Sequence, residues 1–296
     1  TAIPRTISRR LERAAEAAGR SLGGDEGQFR SVTEPIRFDD GAAYERYMGK
    51  WSRLTGSAFL EWLRPQPGLR WLDVGCGNGA FTELIVECCT PASVYGIDPS
   101  QEQLAYAHAR RSLGSAQFRQ ADAMALPFQD DAFDVAVMPL VIFFVPDPAK
   151  GVAEMVRVVC PGGCVSAYAW DMAGDGFPYE LLRAEMREFG LSVPTPPSPE
   201  SSALEALGTL WVDARLEAVE TRQITVHRIF ADFGEYWTVV HGGPSVSKRL
   251  ASMAPRDHAL LEARMRKRLT ADASGRITCS ARANAVMGRV PRPPSA

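Results

Sequence analysis

The stretch WLDVGCGNGAFT, residues 71–82, decides the fold of this chain. Trp71 to Val74 read as a short strand buried on both faces, and Phe81 to Cys89 resume with the spacing of an amphipathic helix. Between them Gly75, Gly77 and Gly79 allow a tight turn whose backbone can approach a ligand closely. A strand that passes through such a turn into a helix presents the helix's first free N–H groups at the strand's carboxyl end.

Outward from this unit the same alternation repeats. Val94 to Ile97, Ala116 to Gln120, Val135 to Met138 and Cys164 to Ala169 are strand-like, while Gln101 to Leu113 and Pro148 to Val159 have helical periodicity. Strand and helix in strict alternation imply a parallel sheet covered on both faces. Leu216 to Val226 then reads as a strand that re-enters the sheet, and Ile277 to Val286 as a last edge strand. The expected class is therefore α/β: a doubly wound, Rossmann-like, mostly parallel sheet of seven strands, with a helical N-terminal cap and a late-insert cap. Ligands of such sheets sit outside the carboxyl ends of the strands, at the switch point.

Five segments follow from composition. Residues 1–33, rich in Arg, Ala, Glu, Gly and Ser, read as a flexible extension with a helix over Ser8 to Ala18. Residues 34–68 form a helical cap segment, with Tyr44, Tyr47, Met48, Trp51, Phe59, Trp62 and Leu63 at helical spacing and Pro65 and Pro67 ending it. Residues 69–172 are the α/β core, 173–290 hold cap or lid insertions and the final strands, and 291–296 are a frayed tail. Within the insertions Asp175 to Gly190, Leu204 to Leu210 and Pro255 to Leu269 read as helices, and Phe230 to Leu250 is aromatic and Gly-rich.

With 296 residues, 46% of them hydrophobic, the chain can bury a large core. A formal net charge of -2 offers no excess of the kind that tracks nucleic-acid phosphates. No apolar run approaches the ~20 residues of a membrane-spanning helix. The six cysteines, Cys76, Cys88, Cys89, Cys160, Cys164 and Cys279, lack CxxC spacing and read as reduced thiols in a cytoplasmic protein. His108, His227 and His258 have no partners at metal-ligand spacing, so no metal site is expected.

Two carboxylates extend the glycine motif. Asp98, in Gly96-Ile97-Asp98-Pro99-Ser100, stands at the tip of the second strand, where an ionised acceptor can take hydrogen bonds from vicinal ribose hydroxyls. Its plainer role is at the N-terminus of the next helix. Asp122 closes the third strand, and with Met124 and Leu126 it makes an apolar pocket with one acceptor, suited to an adenine amino group, or else a solvated turn. The glycine spacing is GxGxG rather than the dinucleotide GxGxxG.

In this order and spacing, WLDVGCGNG, YGIDPS, QADAMALPF, FDVAVMPLVIFFVPDP and VVCPGGCVSAYAW resemble the core of class I S-adenosylmethionine-dependent methyltransferases, in particular the bacterial type 11 or UbiE-like group. The upstream YERYMGKWS and the later FGEYW and SARANAV resemble flanking elements of one subfamily, so the likeness runs from about Tyr44 to Gly288. It implies that Gly75, Cys76 and Gly77 wrap the methionine moiety of S-adenosylmethionine and that Asp73 helps hold its ammonium. Asp98 would take the ribose hydroxyls, Pro99 and Gln103 flank the adenosine, Asp122 accept the adenine amino hydrogen and Ala123 offer its backbone. Met138 would line the sulfonium region, where many relatives carry a small polar residue.

Methyl transfer from a sulfonium needs alignment and exclusion of water more than an acid or base. Candidates at the expected mouth are Tyr168, Trp170 and Asp171, Trp51 on the cap, and Tyr236, Trp237 and His241 in the insert, with His241, Tyr168 and Asp171 the candidate catalytic groups. Aromatic residues at helical spacing equally describe a core. The leading expectation is a methyltransferase acting on a small molecule. The alternatives are a catalytically silent S-adenosylmethionine-binding partner protein and a nicotinamide-dependent oxidoreductase, the latter disfavoured by the GxGxG spacing and by Asp122.

Overall fold

Helix boundaries in the α/β half follow local chemistry. Ser100 accepts a hydrogen bond from the Gln103 N–H at 3.2 Å and starts α3 (Gln101–Ala109). Asp147 does the same for Lys150, with Pro148 in the first turn, at the start of α4 (Pro148–Val158). Helix α2 (Ala80–Cys89) begins at Gly79, whose φ of 82° suits only glycine, because a Cβ there would stand 2.7 Å from Leu113. The computed structural model describes residues 45–243 and 246–293, all within the unit Glu34–Ala296. The expected extension 1–33 with its helix, the start of the cap before Glu45 and the end of the tail lie outside the described residues.

Seven strands form one sheet in the order β3-β2-β1-β4-β5-β7-β6. Strands β1 (Arg70–Val74), β2 (Ser93–Asp98), β3 (Ala116–Gln120), β4 (Phe133–Pro139) and β5 (Val159–Trp170) are parallel, with Asp73 opposite Gly96 and Val137. Trp71, Leu72, Val74, Val135, Ala136, Val137 and Val165 are buried, as strands covered on both faces require. Strands β6 (Glu217–Phe230) and β7 (Ile277–Arg289) form a long antiparallel pair.

Strand β7 corrects the sequence reading. It is not an edge strand: it lies between β5 and β6, antiparallel to both, with Ala283 opposite Trp170 on one side and Ile224 on the other. Its alanines Ala281, Ala283 and Ala285 are buried, small enough to lie beneath packed elements on a central strand. The true edge is β6, where exposed Gln223, Thr225, His227 and Ile229 alternate with buried Ile224, Val226, Arg228 and Phe230.

Around the sheet, α1 (Lys50–Leu63) follows a wide π-turn over Glu45–Gly49 and packs on α2 and on β6. The third helix is shorter than its periodicity predicts, ending at Ala109 before a 3₁₀ turn over Arg111–Leu113. The expected helix Asp175 to Gly190 condenses to α5 (Glu180–Glu188), and α6 (Leu204–Asp213) brings buried Trp211 to donate to the Val165 carbonyl at 2.9 Å. The aromatic Phe230 to Leu250 stretch contains α7 (Phe233–His241) and α8 (Ser247–Ala251), followed by α9 (Pro255–Arg268). No helix among the described residues is long and apolar enough to cross a membrane.

Candidate active site

The glycine turn is fixed by backbone bonds before any ligand is considered. The N–H groups of Gly75 and Cys76 both donate to the Ile97 carbonyl at the end of β2, at 2.8 and 2.9 Å. Gly75 has a φ of +75°, and a Cβ there would meet the Val141 side chain at 2.5 Å, so the turn and the β4 exit loop touch through glycine alone. Gly96 is needed in the same way, since its Cβ would meet Phe118 at 2.7 Å and the Cys76 sulfur at 2.8 Å.

Asp98 joins the two halves of the turn. One carboxylate oxygen accepts the Gly77 N–H at 2.9 Å, and the other accepts the Ser100 N–H at 2.8 Å. Burial raises its pKa, and these two backbone bonds oppose the shift. Beside it opens a cavity of about 450 Å³. Its floor is Gly75, Cys76, Gly77 and Asn78; Asp98, Pro99, Ser100, Glu102 and Gln103 form one side. Ser52, Ala80, Phe81, Tyr168 and the Pro139, Leu140, Val141 and Phe144 loop form the other.

Asp73 lies beneath this cavity, fully buried on β1. Its Oδ2 accepts the Thr82 hydroxyl at 2.7 Å, while Oδ1 has no hydrogen-bond partner. Burial pushes its pKa from an ordinary 3.8 up to about 7; Thr82 pulls it down, and Asp98 adds a smaller upward push. The native state therefore keeps a proton on Asp73 that the unfolded chain has already released between pH 3.8 and about 7. Stability of the ligand-free protein is expected to fall as pH rises through that window, and Asp73→Asn to flatten the fall. Denaturant midpoints at a series of pH values in both proteins check this; equal slopes would count against it.

The sequence-predicted residues separate into two groups. Gly75, Cys76, Gly77, Asp98, Pro99, Gln103 and Tyr168 line the cavity. Met138 is wholly buried, with its methyl 3.7 Å from the Cβ position of Gly151 in α4, so it packs under the sheet rather than in the lining. Trp51 is also wholly buried, its indole donating to the Tyr179 hydroxyl at 3.1 Å; the lining residue on that helix is its neighbour Ser52. Asp122 and Ala123 stand one strand further out. Asp122 is exposed and accepts the Met124 N–H at 2.8 Å, and the Ala121 N–H reaches the Asp98 carbonyl at 3.2 Å.

Two catalytic candidates lie outside the lining. His241 packs against Trp237 and His258, with ring centroids 5.0 and 5.2 Å away, and burial followed by His258 lowers its pKa. Asp171 pairs with Arg282, 2.9 Å from Nε and 2.8 Å from Nη2, and accepts the Gly174 N–H at 3.0 Å. These bonds describe a structural carboxylate. Asp171→Asn is expected to cost about 1–3 kcal/mol of stability while leaving cofactor affinity unchanged, which paired denaturation and calorimetry would establish.

Sequence reasoning missed Asn78, the Leu140–Phe144 loop and Glu45. Asn78 donates to Glu45 at 2.9 Å, and Arg110 bridges Glu45 and Glu83 at 2.7 and 2.8 Å, so the start of the cap is tied to the glycine turn. Cys76 is buried, which raises its thiol well above the ordinary range and disfavours the thiolate. Among the described residues no group of three metal-ligating side chains is placed to hold an ion.

A seven-stranded sheet in the order β3-β2-β1-β4-β5-β7-β6 with β7 antiparallel, carrying a glycine turn after β1 and a carboxylate at the tip of β2, is the fold of class I S-adenosylmethionine-dependent methyltransferases. The family model described as a methyltransferase domain matches residues 72–167. The chain is 35% identical over 136 residues to an uncharacterised protein of Mycobacterium tuberculosis, covering 45% of this chain and 48% of that one. It is 35% identical over 126 residues to the demethylmenaquinone methyltransferase of Desulfitobacterium hafniense, covering 40% of this chain and 48% of that enzyme. The matched stretch thus spans about half the length of these relatives. Among solved structures, the YcgJ protein from Bacillus subtilis aligns with a TM-score of 0.55 at 18% identity, over 81% of this chain and 99% of that one. The Haemonchus contortus phosphoethanolamine N-methyltransferase 2 in complex with S-adenosyl-L-methionine aligns with a TM-score of 0.51 at 18% identity, over 84% and 56%.

Proposed function

We propose that the protein is an S-adenosylmethionine-dependent methyltransferase acting on a small molecule. The observation that carries the reading is the pair of acids around the glycine turn: Asp98 at the cavity wall and Asp73 buried with one oxygen unpartnered. The first offers its remaining lone pairs to ribose hydroxyls, and the second offers an unpartnered oxygen to an ammonium group, whose charge would displace the proton that Asp73 holds in the ligand-free protein. Gly77, at a φ of +52°, leaves room for a ligand, since a Cβ there would meet nothing nearer than the Gln103 side chain at 3.8 Å. The cofactor supplies an activated methyl group on a sulfonium.

In this reading Gly75, Cys76 and Gly77 hold the methionine end, Pro99 and Gln103 flank the adenosine, and Asp122 with Ala123 meets the adenine from the tip of β3. Phe81, Leu140, Val141, Phe144 and Tyr168 exclude water and give the sulfonium aromatic faces. The cap around α1 and the insertions after β5 serve as the lid over the acceptor.

Calorimetric titration with S-adenosylmethionine and S-adenosylhomocysteine, beside NADH, tests the reading. Micromolar binding of the first two is expected; binding of NADH alone would replace it with the oxidoreductase. A second reading, a silent cofactor-binding partner, gains from the position of His241 and Asp171 outside the cavity lining. Formation of S-adenosylhomocysteine with any acceptor would exclude it.

A further inference from the structure

Arg228, near the end of β6, is only 5% exposed, yet among the described residues no carboxylate pairs with it. Both of its hydrogen bonds leave from Nη1 and both are long: 3.4 Å to the Tyr47 carbonyl and 3.4 Å to the Tyr179 hydroxyl. Its Nε is buried without an acceptor, and its guanidinium lies 4.4 Å from the centre of the Phe230 ring. Arg110 and Arg183 also bury an Nε without an acceptor, but their charge is matched. Arg110 meets Glu45 and Glu83, and Arg183 meets Glu180 at 3.5 Å.

The groups around Arg228 do not supply the missing charge. Burial pushes the Tyr179 phenol up to about 12 and the Cys279 thiol, opposite Arg228 on β7, up to about 11; it raises Tyr236 well above the ordinary range too. All three stay neutral at pH 7. A buried cation held only by two long neutral hydrogen bonds and a ring face would gain from an anion at this point.

Arg228 does not itself line the cavity of the candidate active site but is joined to it through helix α1. Strand pairing sets Trp170, Ala283 and Ile224 side by side, and Arg228 lies on the same face of the sheet, beyond the carboxyl end of β5. Helix α1 covers that face: Ser52 lines the cavity, Trp51 beside it donates to Tyr179, and Tyr179 donates to the Tyr47 carbonyl at 2.7 Å. That carbonyl belongs to the π-turn Glu45–Gly49, a wide turn of a kind that often marks functional sites.

We propose that Arg228 anchors a carboxylate of the methyl acceptor, a proposal that rests on the methyltransferase reading of the neighbouring cavity. One unmatched guanidinium balances one negative charge, which a carboxylate carries and a phosphate monoester exceeds. A carboxylate accepts from Nε and Nη2 together, the two nitrogens that the long Nη1 bonds leave free for a bidentate pair.

The test uses benzoate, benzamide and phenyl phosphate, probes that share a ring and differ in charge, titrated into the full chain with saturating S-adenosylhomocysteine and again without it. Benzoate is expected to bind at least tenfold more tightly than benzamide and more tightly than phenyl phosphate. Arg228→Met is expected to abolish the preference and Arg228→Lys to weaken it, with S-adenosylhomocysteine affinity unchanged in both. Because the buried charge lacks a partner, Arg228→Met should unfold at or above the parental Tm, whereas a purely structural arginine would lower it. Equal affinities for benzoate and benzamide in the parent, tighter phenyl phosphate, or a preference that survives in Arg228→Met would each overturn the proposal. Absence of S-adenosylhomocysteine binding alongside a benzoate preference would sink the methyltransferase reading instead.

Discussion

Asp98→Ala should weaken S-adenosylmethionine binding at least a hundredfold. Each hydrogen bond from a ribose hydroxyl to a charged acceptor contributes about 1.5–3 kcal/mol, and two are lost together. Each ~1.4 kcal/mol is a tenfold change, so about 3 kcal/mol already exceeds a hundredfold. The Gly77 N–H also loses the acceptor that fixes the turn at 2.9 Å. Asp98→Asn is expected to do little better, because its amide turns a donor toward either the Gly77 or the Ser100 N–H. Calorimetry with both variants, after confirming that they fold, measures this. An unchanged affinity would remove Asp98 from the site.

The second large effect concerns stability. Gly75→Ala forces a side chain onto a φ of +75° and sets its Cβ 2.5 Å from Val141. The backbone strain costs about 1–2 kcal/mol and overpacking about 1–3 kcal/mol, so a loss of about 3 kcal/mol is expected in chemical denaturation. Val141→Ala, placed in the same chain, should return part of the loss, because it relieves the contact and leaves the backbone strain. A Gly75→Ala protein as stable as the parent would show that the turn can relax, and with it the cavity floor.

These two positions were readable from the sequence because their chemistry is local. A glycine turn between a buried strand and a helix has few other uses, and Asp98 followed by Pro99 and Ser100 marks a strand tip wherever it is read. The loop from Leu140 to Phe144 was not readable as lining, since an apolar run after Pro139 looks like core until β4 is known to lie beside β1. Trp51 and Met138 show the same limit: the expected cap placed the first near the mouth and the family resemblance the second, and only packing reveals that one bonds Tyr179 and the other sits against α4. The place of β7 depended on pairing across about a hundred residues of intervening chain, which no window of sequence contains. Arg228 is a similar case, because its lack of a counterion exists only once Tyr47 and Tyr179 have been brought to it.

The insertion of β7 between β5 and β6 also sets an order of events during synthesis. The parallel strands β1 to β5 can pair as they emerge from the ribosome, but β6 is joined to β5 only through β7, once residues 277–289 have left the exit tunnel. Until then the buried faces of Tyr168, Trp170, Ile224 and Phe230 have no partner strand, and the nascent chain carries an open, apolar sheet margin. Slow translation through Pro255 to Ile277 would prolong that exposure, so this protein should be most sensitive to chaperone supply between the emergence of β6 and that of β7.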